Sequence, residues 1–113
     1  MTPHDLAASY MDAFFFRKDM DALLELLTPD CTFEGPLYSF DSALEYVNAM
    51  RNDPPKAFGY EEIDTFERGS HACVVFRFSK PGVDIPMVQI FDTRENRICS
   101  ILLIFDSAPF VRH

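Results

Sequence analysis

A chain of 113 residues supports one hydrophobic core and not two, so a single domain over residues 1–113 is expected. Ten Lys and Arg stand against 18 Asp and Glu, a net charge of −8, which is the wrong sign for a phosphate backbone or an anionic lipid surface and excludes nucleic acid and membrane as expected partners. The hydrophobic share of 48% is ordinary, but 12 Phe and 4 Tyr with no Trp give more bulky apolar volume than one small core needs.

Helical periodicity opens the chain. Thr2 can cap, Pro3 suits the first helical position, and Asp5 favours the positive end of the helix dipole. Leu6, Tyr10, Ala13, Phe14 and Arg17 recur at three- and four-residue steps, so one helix is expected over residues 3–17, its apolar stripe carrying a phenol. Asp19 caps a short second helix through Leu23, Leu24, Leu26 and Leu27 that should stop at Thr28-Pro29. Cys31 to Glu34 alternates as a short strand before Gly35-Pro36. A third helix follows, with Ser39 as its cap, Leu44, Val47 and Met50 as its buried stripe, and Asn52-Asp53-Pro54-Pro55 as its end.

From Phe58 the period becomes two. Strands are expected over residues 58–66, 71–78, 85–91 and 98–105, joined at Arg68-Gly69-Ser70, at Lys80-Pro81-Gly82 and through the charged segment 93–97. Helices gathered first and hairpin-linked strands later predict an α+β fold, a mainly antiparallel sheet with three helices from the N-terminal half on one side. The strand Ile101-Leu102-Leu103-Ile104-Phe105 does not alternate at all, so both of its faces call for burial. Val75, Val88, Ile90, Leu102 and Ile104 share the face away from the helices. For so short a chain the simplest cover is a second copy, and a homodimer through the outer sheet face is expected; a fuller monomer core or the C-terminal tail is the alternative.

The three cysteines, Cys31, Cys73 and Cys99, are odd in number, widely spaced and each set in an apolar run, which suits reduced thiols. No basic start leads into an apolar leader after Met1, and no apolar run nears the length of a membrane span. A cytoplasmic location is expected. The histidines, His4, His71 and His113, form no pair at ligand spacing with each other or with cysteine, so no metal and no cofactor are expected.

The order helix, helix, short strand, helix and four long strands resembles the nuclear transport factor 2-like superfamily, within it the SnoaL-like and ketosteroid isomerase-like branch. The segments that carry the resemblance are Leu6 to Phe14, Asp19 to Phe33, and Arg97-Ile98 leading into the apolar strand that ends at Phe105-Asp106. Together they span roughly residues 3 to 108, and the specificity lies in their order and spacing. The resemblance implies a cone-shaped, strongly curved sheet with the helices on its concave side, enclosing a cavity for a small hydrophobic molecule. Isomerases of this branch use a tyrosine on the first helix and a protonated acid on the penultimate strand to hold an oxyanion, with an aspartate base after the first short strand. The tyrosine position matches Tyr10, the acid position falls on Gln89, and the base position falls on Gly35.

Glycine has no proton acceptor, so the branch's isomerisation cannot run through residue 35. Gln89 can donate a hydrogen bond but cannot transfer its proton. Glu34 beside the vacant position is the one substitute acid or base, although strand parity sends it to the other face. Tyr10, Gln89 and Glu34 are therefore the candidate catalytic residues. Parity and resemblance together make Phe14, Phe33, Val47, Val74, Phe76, Met87, Phe91, Leu103 and Phe105 the candidate ligand-binding wall. Arg77 and His71 fall on the outer face, and Tyr38, Tyr46 and Tyr60 read as packing aromatics. The expected function is binding of a small hydrophobic, carbonyl-bearing ligand, with or without turnover of isomerase or cyclase type. The alternative is a dimerisation or subunit-docking module whose cavity is filled by phenylalanine.

Overall fold

Thr2 closes the start of the first helix by a reciprocal pair of bonds. Its Oγ1 accepts from the Asp5 N–H at 3.0 Å, and Asp5 Oδ2 accepts from the Thr2 N–H at 3.1 Å. The backbone bond from Thr2 holds the Asp5 carboxyl below its usual range. In the computed structural model, which describes residues 1–52 and 59–111, this helix, α1, runs Pro3–Met11. The single helix expected to residue 17 divides here, because Asp12–Arg17 winds as a π-helix. Lys18, with φ 51°, ends it in the left-handed conformation and bonds its N–H to the Ala13 carbonyl.

Asp19 Oδ1 accepts from the Ala22 N–H at 3.1 Å and starts α2, Met20–Glu25. The helix ends before Thr28-Pro29, which already belongs to the extended strand β1, Leu27–Glu34. Proline is tolerated there because the pairing of β1 with its neighbour shifts register between Leu27 and Thr32. Ser39 does not cap a helix; Ser39–Phe40 forms β2, paired with Phe33 and Glu34 of β1. The cap of α3, Ala43–Asn52, is Ser42, whose Oγ accepts from the Glu45 N–H at 3.2 Å. Starting at Ala43, the helix buries Ala43, Tyr46, Val47 and Met50 at three- and four-residue steps, which leaves Leu44 58% exposed rather than in the stripe.

The remaining strands are β3, Gly59–Arg68, β4, His71–Lys80, β5, Val83–Arg94, and β6, Arg97–Ile104, followed by a short helix α4, Ala108–Val111. Glu95 and Asn96, with φ of 51° and 65°, make the tight β5–β6 hairpin turn that suits strand twist. The helix end at Asp53-Pro54-Pro55, the strand start at Phe58, and His113 lie outside the described residues. The curved sheet has the order β2-β1-β6-β5-β4-β3, antiparallel throughout except for the parallel pair β1–β6. Helix α1 packs on β3 to β6 and α3 on β1 and β2, so the helices of the N-terminal half cover one face, as expected for an α+β fold.

Register sorts the strand residues. Phe76 pairs with Met87, Val74 with Gln89, Gln89 with Leu103, and Phe91 with Ile101 on the helix-covered face. Val75 pairs with Val88, Val88 with Ile104, Cys73 with Ile90, and Ile90 with Leu102 on the other. The core is on the first of these faces, where Leu6, Tyr10, Leu23, Val47, Val74, Phe76, Phe91, Ile98 and Ile101 are almost wholly buried. Among the described residues no helix is long and apolar enough to cross a membrane.

Candidate functional site

A cavity of about 760 Å³ opens between α1, the π-helical turn, α3 and the inner face of the sheet. Three polar lining residues are almost wholly buried, Tyr10 at 1% exposed, Tyr46 at 2% and Gln89 at 3%, beside the equally buried Phe76. Its walls are Phe14, Phe15, Phe33, Phe40, Phe76, Met87 and Leu103, and its rim includes Leu37, Tyr38, Phe78, Lys80, Pro81, Phe105 and Phe110.

Three elements bring the polar groups together. Tyr10 sits on the inward stripe of α1, Tyr46 on that of α3, and Gln89 on the inner face of β5. The Tyr10 and Tyr46 hydroxyls are directly hydrogen-bonded, and Gln89 Nε2 donates to the Tyr10 hydroxyl at 3.3 Å. Aromatic packing fixes the phenol rings. Phe14 stacks on Tyr10 at 5.9 Å between centroids, Phe91 meets it edge-on at 5.0 Å, and Phe33 stacks on Tyr46 at 4.7 Å. Burial raises the pKa of both phenols well above the ordinary value, so at neutral pH each keeps its proton and can donate it.

Proton counting follows from the bonding. Two hydroxyls carry two protons, and the bond between them uses one, whichever oxygen donates. The other is available to an acceptor in the cavity. The Gln89 amide occupies one lone pair of Tyr10, whose second lone pair can accept from Tyr46, an arrangement that frees the Tyr10 proton; the reverse bond frees the Tyr46 proton instead.

Of the residues singled out by sequence, Tyr10, Phe14, Phe33, Phe76, Met87, Gln89, Leu103 and Phe105 line this cavity. Val47, Val74 and Phe91 do not; each is at most 1% exposed, in the core behind the lining. Glu34 is also away from it. It is the last residue of β1, it pairs with Leu102 on the outer register, and it is exposed, so no turn at Gly35 swings it inward. Arg77 is exposed and bonds Asp84 at 3.0 Å, and His71 lies 3.6 Å from Asp92 at a hairpin end. Among the described residues, no carboxylate and no histidine lines the cavity.

Several further residues line the cavity, and for two of them, Tyr46 and Phe15, the reason they are not evident from sequence is identifiable. Tyr46 read as packing, yet its position on the buried stripe of α3 brings its hydroxyl into direct hydrogen bonding with Tyr10. Phe15 is adjacent to Phe14, and successive residues of an α-helix point well apart; the wider π-helical turn lets both line the cavity. The cysteines are free, and burial pushes the Cys31 thiol up to about 12. Among the described residues no group of three or more His, Cys, Asp and Glu side chains is placed to hold a metal ion. A second depression, beside α2, contains Arg17 and Arg51, each held in an ion pair, with Asp12 and Asp21 respectively.

The fold has close counterparts among solved structures. An NTF2-like protein of unknown function from Cytophaga hutchinsonii superposes with a TM-score of 0.85 at 24% identity, over 97% of this chain and 95% of that one. A candidate polyketide cyclase from Pseudomonas putida gives 0.80 at 18% identity, covering 98% and 96%. An LEH-like epoxide hydrolase from M. tuberculosis gives 0.76 at 13%, covering 92% and 82%. At these identities the likeness is one of fold. No curated protein matches the sequence. The SnoaL-like domain family matches residues 7–101, the span that supplies α1, α3 and the sheet around the cavity, and the chain therefore belongs to the SnoaL-like domain family.

Proposed function

We propose that this chain binds a small hydrophobic, carbonyl-bearing molecule in the cavity, with the Tyr10 hydroxyl donating to the ligand oxygen. The observation that carries this reading is the buried Tyr10–Tyr46–Gln89 cluster, in which one phenolic proton is left for an acceptor within an otherwise largely apolar wall. Tyr46 and Gln89 act as positioning residues. By donating to the Tyr10 oxygen they strengthen it as a donor and hold it in place before the ligand arrives.

The same geometry favours polarisation of a carbonyl over proton shuttling. A shuttle needs a base beside the substrate, and the branch's base position is Gly35, where an added Cβ would already lie 3.2 Å from Phe33 Cε1. Turnover, if the ligand undergoes any, draws its acid and base from the ligand or from water. An open cavity of about 760 Å³ also weighs against the alternative of a phenylalanine-filled docking module.

The protein acts as a homodimer in this reading, joined through the outer sheet face, where Val75, Val88, Ile90 and Leu102 remain partly exposed and Ile104 is 49% exposed. The binding claim is tested by calorimetric titration with 2-acetylnaphthalene, a neutral ring ketone. Saturable binding is expected, weakened about three- to tenfold by Tyr10→Phe, the worth of one hydrogen bond. Absence of binding, or equal affinity in the variant, would reject it.

A further inference from the structure

Among the described residues that line the cavity, one side chain is charged. Lys80 ends β4 at the rim, and neither Asp nor Glu accompanies it among those residues, although acidic residues outnumber basic ones 18 to 10 in the chain. Arg17, Arg51, Arg77 and Arg94 each sit against an aspartate. Lys80 instead holds its ammonium 4.9 Å from the centre of the Phe110 ring. Phe110 is itself anchored on Phe105 at 5.0 Å and Phe78 at 5.9 Å, all three being rim residues. The contact keeps the cation over the opening while leaving its three N–H donors without a carboxylate among the described residues.

Position adds a length. Lys80 pairs with Val83, and Gln89 lies six residues further along β5. At the rise of an extended strand the two backbones are therefore roughly 20 Å apart along the sheet. The cavity thus has hydrogen-bond donors at its buried end, one cation at its open end and apolar wall between. After the side chains take up their share of the interval, a chain of roughly eight to ten carbons bridges the rest.

We infer that Lys80 is the anion-recognising residue of this site, and that the ligand is an elongated hydrophobic carboxylate whose carbonyl end reaches Tyr10. This rests on the reading of the buried end as a carbonyl site and adds the chemistry of the other end. A lone cation on a neutral lining discriminates by sign: a carboxylate finds a charge-assisted bond, while a neutral analogue leaves Lys80 on Phe110.

Calorimetric titration of the full chain with 9-oxodecanoate and with methyl 9-oxodecanoate separates the two claims. The ligands share the ketone and the chain and differ in the charge at one end. The acid is expected to bind about fivefold more tightly than the ester, the scale of a solvent-accessible ion pair. Lys80→Gln should bring the ratio to about one, and Lys80→Arg should retain most of it. A wild-type chain that binds the ester as tightly as the acid, or an acid preference that survives in Lys80→Gln, overturns the role of Lys80 while leaving the carbonyl reading intact. If neither ligand binds while 2-acetylnaphthalene does, the elongated ligand is overturned and the carbonyl reading stands; if 2-acetylnaphthalene does not bind either, both fall.

Discussion

The two faces of the β4–β5–β6 sheet are built from the same strands and nearly the same residue types, yet they end in different states. On the inner face Val74, Phe76, Phe91 and Ile101 are at most 2% exposed, on strands that α1 packs against. On the outer face Val75, Val88, Ile90 and Leu102 remain partly exposed, and Ile104 half so. Both faces are rich in apolar side chains, and what separates their burial is cover. The polar residues confirm the division of labour, because the inner face buries Gln89 only with a hydrogen-bond partner, while the outer face carries its charges in open ion pairs such as Arg77–Asp84.

That contrast can be broken one face at a time. Phe91→Ala removes a wholly buried ring that also supports Tyr10, and should lower unfolding stability by about 3–5 kcal/mol in a denaturant titration. Leu102→Asp, one position along from Ile101 on β6, should behave differently. It should leave the monomer folded by circular dichroism but cost dimer association at least ~3 kcal/mol, more than about a hundredfold in dissociation constant by light scattering. A parent chain that is monomeric in solution would remove the proposed interface.

The smallest effect concerns pH. An unfolded phenol ionises near its ordinary value of 10.0, whereas burial keeps Tyr10 and Tyr46 protonated to higher pH and pushes Tyr60 up to about 12. Below pH 10 both states hold these protons and stability does not change through them. Above it the unfolded chain releases protons that the folded chain retains, so stability should fall as pH rises. Urea midpoints measured from pH 8 to 11 should show that decline, and Tyr10→Phe with Tyr46→Phe should make it shallower; an unchanged slope would mean the buried pair does not carry it.

The sheet was legible in the sequence because strand parity is strict. The outer positions 75, 88, 90, 102 and 104 and the inner positions 76, 87, 89 and 103 follow from a period of two. What escaped depended on departures from regular winding or on tertiary layering. The π-helix at 12–17 arises inside a segment that reads as ordinary helix, and Phe15 within it lines the cavity beside Phe14. Val74 and Phe91 have the correct strand parity and Val47 is on the buried stripe of α3, but all three lie behind the lining, a depth that periodicity does not encode. Ser39 and Ser42 are both chemically able to cap α3, and the pairing of Ser39 with Glu34 in β2 decides between them. Tyr46 is the costliest miss, since its hydroxyl finds its partner 36 residues away.

The claim on which the functional reading stands is that a phenolic proton of the buried cluster is given to a ligand carbonyl. The infrared stretch of ¹³C=O-labelled 2-acetylnaphthalene, recorded bound to the wild-type chain and to Tyr10→Phe, reads that bond directly. A shift to lower frequency on binding that is largely lost in Tyr10→Phe is the predicted result. A bound carbonyl with the same frequency in both proteins would show that Tyr10 packs against the ligand and donates nothing to it.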